Sequence, residues 1–405
     1  MHIAFVSLGA FGHINPTLAL VTELVKRGER VTYFTTESFR SIIESAGATF
    51  VAVPSWMAEN DRHNEDKADS QKEDNDNVAA VVPFLFLNEA GAYIDTVLNV
   101  LKADKPDAIV HDFAGIAGTM ASDILHVPNI MIYTSYPSND SYSVAASFEN
   151  VPADHPVRLA AARVAEDYAV KYGCRVMTAK EIFDGHGDLN IVMMQKKLIP
   201  SHENFDDSFV FTGVQIGKRT AFGNWKAPNN GKPLLYSSLG TAFNNWPEYY
   251  PILFDAVRDL DINVFAALGT IDPTSLKNIP GNVEVAQMVP QLDILSQASV
   301  FITHAGMGGT GEAIYYGVPM IAIPQMEEQA ITARQIETLG LGVAFLDKNA
   351  ISSDSLRAAI QKLLNEPSFH KTAKSFSEDM HSLGGAKTSV EALLKFLGKS
   401  KCANT

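Results

Sequence analysis

Short apolar segments alternate with longer amphipathic segments along the first half of the chain. The apolar segments predict strands at residues 2–8, 30–35, 49–53, 108–111 and 129–133. Helices are predicted between them, at residues 15–27, 37–46 and 115–125. Strands that alternate with helices are typical of βαβ units, which build a parallel sheet covered by helices.

The same alternation begins again near Pro233. Strands are predicted at residues 234–239, 263–268, 283–287, 300–303 and 320–323. Helices are predicted at residues 247–260, 291–297, 309–316, 327–339 and 353–364. Residues 201–232, rich in Gly, Asn and Lys, are the best candidate for a linker. The pattern predicts an α/β protein of two Rossmann-like domains, with its chemistry beyond the carboxyl ends of the strands.

Composition and charge narrow the class of protein. The chain has 405 residues, of which 46% are hydrophobic and 19% charged, and its net charge is −14. This composition is globular, and an acidic chain without a basic patch is a poor binder of nucleic acid. Two cysteines cannot form a disulfide framework or a Cys-rich zinc site. No basic leader segment and no membrane-length apolar run is present, so we expect a cytoplasmic protein without membrane insertion.

Residues 58–77 differ from the rest of the chain. They contain eight acidic and three basic residues, which predicts a mobile surface loop. A solvated spacer is the simpler role, and a cover over a binding pocket is the alternative. Residues 78–102 regain helical periodicity and carry Phe84 and Phe86, either in an ordinary amphipathic helix or lining a ligand pocket.

A turn at residues 7–16 presents His13 at the start of a helix. The predicted strand ends, two glycines turn the chain, and Asn15 and Pro16 begin the helix with Pro16 in its first turn. A helix N-terminus disfavours positive charge, so the imidazole stays neutral, as a general base must. Asp112 follows another predicted strand and could orient His13. The alternatives are a histidine without a chemical role and an aspartate that caps the next helix.

The segment from Thr303 to Glu312 predicts a phosphate site. A strand runs into a glycine-rich turn that begins a helix, and such turns offer backbone N–H groups to phosphate. His304 and Thr310 add donors, and Glu312 can accept from sugar hydroxyls. The alternative is that the glycines serve packing alone. The turn at residues 7–16 contains no complete dinucleotide-binding motif, and no P-loop motif occurs in the sequence.

These residues resemble the GT-B-fold family 1 glycosyltransferases, which use nucleotide-diphosphate sugars, and most closely the bacterial macrolide subgroup. The resemblance covers nearly the full length and is strongest at residues 288–329. The matching residues are Val289-Pro290-Gln291, Ile294-Leu295, Thr303-His304, Gly306, Glu312, Gly317-Val318-Pro319, Pro324 and Glu328-Gln329.

The resemblance implies a role for each matching residue. Residues 1–215 would bind the acceptor, residues 216–385 the donor, and a helix at 386–400 would pack back on the first domain. The implied catalytic pair is His13 with Asp112. The implied donor contacts are Thr241, Met288, Val289, Gln291, His304, Gly306, Gly308, Gly309, Thr310, Glu312, Glu328 and Gln329. Met288 stands where plant members carry a stacking Trp, and Gly308 and Gly309 stand where Asn and Ser are common.

The implied reaction is an inverting, metal-independent transfer of a hexose, glucose above all, from a UDP-sugar to a hydroxyl. The acceptor would be a small apolar molecule of flavonoid, phenolic or macrolide type, held among Phe84, Phe86 and Tyr133. No cofactor is implied, since the UDP-sugar is a co-substrate. Two alternatives stay open: a nucleotide-sugar epimerase of the same fold, and a non-catalytic binder of nucleotide sugars or apolar ligands.

Overall fold

The chain forms two compact units. The structure, a computed structural model, describes residues 1–64, 78–143, 146, 152–217, 225–240 and 246–403. Unit 1 consists of Met1–Ile216 together with Gly384–Thr405, and unit 2 consists of Gly217–Leu383. Each unit has its own parallel sheet, so the predicted α/β class is confirmed.

Unit 1 contains a sheet of seven parallel strands in the order β3-β2-β1-β4-β5-β6-β7. The strands are β1 His2–Val6, β2 Arg30–Thr35, β3 Thr49–Ala52, β4 Ala108–His111, β5 Asn129–Tyr133, β6 Leu189–Val192 and β7 Phe209–Phe211. Its helices are α1 Phe11–Lys26, α2 Arg40–Ser45, α3 Trp56–Asn64, α4 Val78–Ala103, α5 Ile116–Leu125, α6 Pro156–Tyr172, α7 Ala179–Asp184 and the last helix of the chain, α14 Ala386–Ala403.

Helices cover both faces of this sheet because its strands are apolar on both sides. In β1, Ile3 and Phe5 face a core shared with α1, α2 and α14. Ala4 and Val6 face a second core, shared with α4, α5 and α6. Within the described residues one segment, Val81–Ala103 of α4, is long and apolar enough to cross a membrane. Its buried side chains belong to the second core, which accounts for its composition.

Unit 2 contains six parallel strands in the order β10-β9-β8-β11-β12-β13. They are β8 Leu234–Ser238, β9 Asn263–Ala267, β10 Val283–Ala286, β11 Val300–Thr303, β12 Met320–Ala322 and β13 Gly342–Ala344. The helices are α8 Tyr249–Val257, α9 Gln291–Leu295, α10 Met307–Tyr315, α11 Glu327–Thr338, α12 Ser353–Asn365 and α13 Pro367–Ser382.

Strand order reverses at one point in each sheet. In unit 1 the chain passes from β1 outward to β3, returns to β4 beside β1, and continues in the opposite direction. In unit 2 the same reversal places β11 beside β8. Ligands of open α/β sheets bind outside the carboxyl ends of the strands at such points. We therefore expect the ligand-binding and catalytic residues in the segments after β1, β4, β8 and β11.

Several predicted boundaries were wrong. Helix α1 begins at Phe11 rather than at Asn15, so Pro16 lies in its second turn. Helix α10 begins at Met307 rather than at Gly309, so Gly308 is a helical residue and does not belong to the preceding turn. Helix starts are hard to predict because side-chain capping and tertiary packing shift them by several residues.

Two predicted irregular segments also needed correction. Residues 58–64 of the predicted acidic loop belong to helix α3, and the remainder of that loop lies outside the described residues. The predicted linker contains β7, the edge strand of the first sheet, and its residues up to Ile216 belong to unit 1. Strand β7 has three residues, too few to show a periodicity.

Candidate active site

His13 and Asp112 meet at the strand-order reversal of unit 1. His13 is the third residue of α1, just after β1, and Asp112 directly follows β4. The His13 Nδ1 atom lies 2.5 Å from the Asp112 Oδ2 atom. The Asp112 side chain is 1% exposed, whereas the His13 side chain is 19% exposed. A carboxylate accepts only, so Nδ1 donates, and Nε2 is the nitrogen that can take up a proton.

The Asp112 carboxylate is held from its other oxygen as well. Oδ1 accepts from the backbone N–H groups of Ala114 and Gly115, at 3.0 and 3.1 Å, just before α5 begins. Burial opposes ionisation of this carboxyl, but the charge of His13 and these hydrogen bonds outweigh it and keep the pKa of Asp112 below its usual value. Asp112 is therefore ionised at neutral pH and can stabilise a protonated His13.

Aromatic side chains continue from His13 across unit 1. The Phe113 ring lies 5.8 Å from the His13 ring, and the Phe86 ring lies 5.8 Å from Phe113. Trp56 meets Phe84 edge to face at 6.1 Å. The sequence reasoning named Phe84 and Phe86 but missed Phe113 and Trp56. Phe113 could have been found, since it directly follows Asp112.

Tyr133, the third predicted acceptor contact, lies in the interior. Its side chain is 4% exposed, and its hydroxyl donates to the Gly185 carbonyl at 3.0 Å. Its ring lies 6.0 Å from the Phe209 ring. These contacts stabilise unit 1, and a role of Tyr133 towards an acceptor stays a prediction.

The carboxylate of Asp184 holds the segment that follows β5, residues 134–143, by hydrogen bonds. Asp184, at the end of α7, accepts at 2.6 Å from the hydroxyls of Ser138 and Ser143. It also accepts from the Lys180 ammonium group at 2.6 Å. Because β5 is the neighbour of β4, this segment leaves the sheet beside Asp112. Side-chain hydrogen bonds therefore stabilise the segment that leaves the sheet beside Asp112, the partner of His13 in what we call the dyad.

In unit 2, three side chains form one hydrogen-bonded chain: Tyr236 within β8, Gln291 after β10 and Glu312 after β11. The Tyr236 hydroxyl donates to Gln291 Oε1 at 2.9 Å, and Gln291 Nε2 donates to Glu312 Oε2 at 2.6 Å. Tyr236 stacks on Phe301 with ring centres 5.0 Å apart. Gln291 and Glu312, predicted as ribose contacts, are thus positioned by each other. Tyr236 was missed, because its position within an apolar strand predicts a core residue.

His304 lies between two glycines at the strand-order reversal of unit 2. A Cβ atom at Gly306 would lie 2.4 Å from His304 Nε2, and one at Gly240 would lie 3.0 Å from Cε1. A side chain at Gly306 would displace the His304 ring, and the φ of +95° at Gly240 also favours glycine. Burial lowers the pKa of His304 to about 4, against a hydrogen bond with the Ser238 backbone that acts to raise it. The ring is neutral at pH 7.

Two buried polar atoms at this turn have no partner among the described residues. They are His304 Nδ1 and the hydroxyl oxygen of Thr310, whose side chain is fully buried. An unsatisfied buried polar group costs about 1–3 kcal/mol, which a ligand oxygen would relieve. The first backbone N–H groups of α10, at Met307 to Gly309, also lack partners within the helix. This combination fits an anionic ligand such as a diphosphate.

The other predicted donor residues follow the strands β8, β10 and β12 along the chain. Met288 is 43% exposed, and the Val289 carbonyl accepts from Gln291 N at 2.9 Å. Glu328 is exposed in the first turn of α11. Gln329 is buried, and its Oε1 atom accepts from Gln325 N at 2.8 Å. Thr241 lies outside the described residues, and the sugar contacts of Glu328 and Gln329 stay predictions.

A cavity of about 740 Å³ opens elsewhere in unit 1. It lies at the end of α5 and the start of β5, the opposite edge of the sheet from His13, and its lining includes Ser122, His126 and Arg175. No predicted site residue lines it.

Comparison with known proteins identifies the class and then the family. The chain aligns over 98% of its length with the crystal structure of the kitacinnamycin glycosyltransferase, covering 99% of that chain with a TM-score of 0.85 and 27% identity. The fold is therefore that of the GT-B glycosyltransferases.

Sequence comparison assigns the family. Residues 251–394 match the family model of the erythromycin biosynthesis protein CIII-like C-terminal domain. The chain is 35% identical to the NDP-glycosyltransferase YjiC of Bacillus subtilis (strain 168), over 98% of both chains. It is 28% identical to the oleandomycin glycosyltransferase of Streptomyces antibioticus, over 97% of this chain and 90% of that one. The chain belongs to this family of bacterial NDP-glycosyltransferases, which includes macrolide glycosyltransferases.

Proposed function

We propose that this glycosyltransferase moves a hexose, with glucose as the first candidate, from a UDP-sugar to a hydroxyl of a small apolar molecule, with inversion. The observation that carries the proposal is the short hydrogen bond between His13 and the buried, ionised Asp112. A nucleotide-sugar epimerase or a passive binding protein has no need of this pair, and family membership favours transfer.

In the proposed reaction His13 acts as general base. Nε2 takes the proton of the acceptor hydroxyl as that oxygen attacks the anomeric carbon, and the nucleoside diphosphate leaves from the opposite face. Asp112 holds Nδ1–H and stabilises the positive charge that His13 acquires. Its position is kept by the backbone N–H groups of Ala114 and Gly115.

The donor is proposed to bind unit 2 through the turn before α10. Its diphosphate would accept from the first N–H groups of α10 and contact His304 and Thr310, while Gln291 and Glu312 bind the ribose. The helix N-terminus and these donors would stabilise the charge on the leaving diphosphate. Because these groups can supply that stabilisation, we propose that activity does not require added metal.

The acceptor is proposed to lie against the rings of Phe113 and Phe86, beside His13. Aromatic faces favour flat or extended apolar molecules, with ring pairs adding about 0.5–1.5 kcal/mol beyond buried area. Flavonoids, simple phenols and macrolides all present a hydroxyl on such a surface. The name of the oleandomycin glycosyltransferase supports an acceptor of natural-product type.

The test is an incubation of the protein with UDP-glucose and a panel of phenolic and macrolide acceptors, with and without EDTA. Release of UDP that depends on acceptor, with a hexose mass increment and an inverted anomeric centre in the product, would support the proposal. Parallel reactions with TDP-glucose test the choice of nucleotide. Isomerised donor without acceptor would select the epimerase, and activity abolished by EDTA would refute metal independence.

A further inference from the structure

His111, the last residue of β4, touches the main chain of Asp112 from inside unit 1. Its side chain is 1% exposed, and its Nδ1 atom lies 2.8 Å from the Asp112 carbonyl oxygen. On the other side of the ring, Nε2 lies 2.6 Å from Asn129 Oδ1 and 3.2 Å from the Thr119 hydroxyl. The ring thus connects the residue that holds His13 to β5 and α5.

The start of α5 is shaped around this ring. A Cβ atom at Gly118 would lie 2.8 Å from His111 ring atoms, and one at Gly115 would lie 2.9 Å from the His111 Cβ. Gly115 is also one of the two backbone donors to the Asp112 carboxylate. His111 therefore contacts Asp112 at its carbonyl and packs against a residue that holds its carboxylate.

The hydrogen-bonding roles of the ring follow from its partners. The Asp112 carbonyl only accepts, so Nδ1 carries a proton and donates to it. Burial lowers the pKa of His111, so the ring is neutral and Nε2 is an acceptor. The Thr119 hydroxyl can donate to Nε2. Asn129 Oδ1 faces Nε2, and exchanging the oxygen and nitrogen of this amide by a 180° rotation lets Asn129 donate as well. The neutral His111 ring therefore adds no charge next to Asp112.

We infer that His111 is a positioning residue for the dyad, because its Nδ1–H bond to the Asp112 carbonyl directs the Asp112 carboxylate at His13. The expected effect of His111 on kcat rests on the proposed transfer reaction. The effect on the His13–Asp112 hydrogen bond itself needs no substrate.

Two amide substitutions separate this role from simple core packing. The amide nitrogen of His111→Asn can take the place of Nδ1, whereas that of His111→Gln can take the place of Nε2 only. We expect His111→Asn to keep kcat within about threefold of the parent. We expect His111→Gln to lower kcat about 10- to 100-fold, since small misplacements of catalytic groups have effects of this size. The KM for the donor should not change, because the proposed donor contacts lie in unit 2.

A packing role predicts the reverse order, since Gln fills the larger volume of histidine better than Asn does. Thr119→Val is the control, since it removes a partner of Nε2 without touching Nδ1, and it should leave kcat unchanged. A folded His111→Gln variant with kcat within threefold of the parent would overturn the inference. So would equal losses in the Asn and Gln variants.

A second pair of variants covers the case in which the substitutions at His111 do not fold. Gly118→Ala pushes a methyl group against the His111 ring and should lower kcat in the same way. Gly398→Ala makes the same change in α14, where the new Cβ meets no atom within 4 Å, and should have no effect. Equal kcat in these two variants would also overturn the inference.

The dyad can be observed without turnover through the downfield proton resonance of His13 Nδ1–H. That resonance should move in His111→Gln or Gly118→Ala and stay in place in Thr119→Val. An unmoved resonance in all three would overturn the inference. A parent protein that transfers no sugar at all would instead refute the proposed function, and the two failures are therefore distinguishable.

Discussion

Replacing Asp112 with asparagine tests the dyad with the smallest change of shape. The asparagine oxygen can take the place of Oδ1 and still accept from the Ala114 and Gly115 N–H groups. Its nitrogen then faces His13 Nδ1, where two donors would meet. His13 can avoid this only by moving its proton to Nε2, which removes the lone pair that the base needs.

The structure supports a large effect. Asp112 is almost fully buried, and the hydrogen bond that it accepts from His13 Nδ1 is 2.5 Å long, so bulk solvent compensates little for the lost charge. Loss of general-base catalysis is expected to lower kcat about 10²- to 10⁴-fold. That corresponds to about 3–5 kcal/mol of transition-state stabilisation. The KM for the nucleotide sugar should stay within about twofold, because the proposed donor contacts belong to unit 2.

The assay is UDP release with a series of phenols of increasing acidity. An acidic phenol needs less help with deprotonation, so the loss should shrink along the series. Glu89→Gln is a matched control, since Glu89 is another carboxylate of unit 1 with 1% exposure, which accepts from Met57 N. A folded Asp112→Asn variant with kcat within fivefold of the parent would refute the reasoning. An equal loss with every phenol would show that Asp112 does not act through deprotonation.

Three further predictions address stability and the acceptor side. His304 has a pKa lowered from 6.5 to about 4, so the unfolded state binds its proton first, and stability should fall by about 1–3 kcal/mol as the pH drops from 6.5 to 4. His304→Gln should flatten that part of the melting temperature profile, and an unchanged slope would contradict this. Ala305 has a φ of +63°, so Ala305→Gly should stabilise by up to about 1 kcal/mol in thermal unfolding, whereas Ala330→Gly in α11 should destabilise. A lower melting temperature for Ala305→Gly would count against strain at that turn. Asp184→Ala should raise the acceptor KM several-fold without changing the donor KM, and Lys180→Met, whose parent side chain is 75% exposed, should change neither. Equal acceptor KM values in these two variants would show that the segment after β5 has no part in acceptor binding.

The pattern of apolar positions was enough to predict the class of fold and much of the first sheet. Strands such as β2 and β4 were predicted at their observed bounds, because both faces of a covered parallel strand are apolar and the run stands out locally. The glycine-rich segment at residues 306–311 was also recognised from the sequence as a candidate binding segment, because so many glycines weaken a helix start, although Gly308 and Gly309 lie inside α10. Strands without a clear apolar run were not predicted: Asn190 is buried within β6, and β7 has only three residues.

Helix α1 shows why local signals can mislead. Pro16 favours a helix start because it lacks the N–H that a first turn leaves unpaired. Here the helix begins five residues earlier, at Phe11, and Pro16 forgoes the bond to the Gly12 carbonyl. Packing of Ile14, Leu20 and Leu24 into the core holds the helix through that position.

The chemistry of the site depends on contacts that no local pattern contains. His13 and Asp112 lie 99 positions apart along the chain and meet because Val6 pairs with His111 across β1 and β4. The residue types at each strand end could be found from the sequence, because each follows an apolar run at a glycine or a helix start. Strand pairing decides which strand ends become neighbours. The pairing is determined by the free energy of the whole sheet, to which residues far apart along the chain contribute. The roles of Phe113, Tyr236 and His111 likewise come from the rings and backbone groups that the folded chain brings against them.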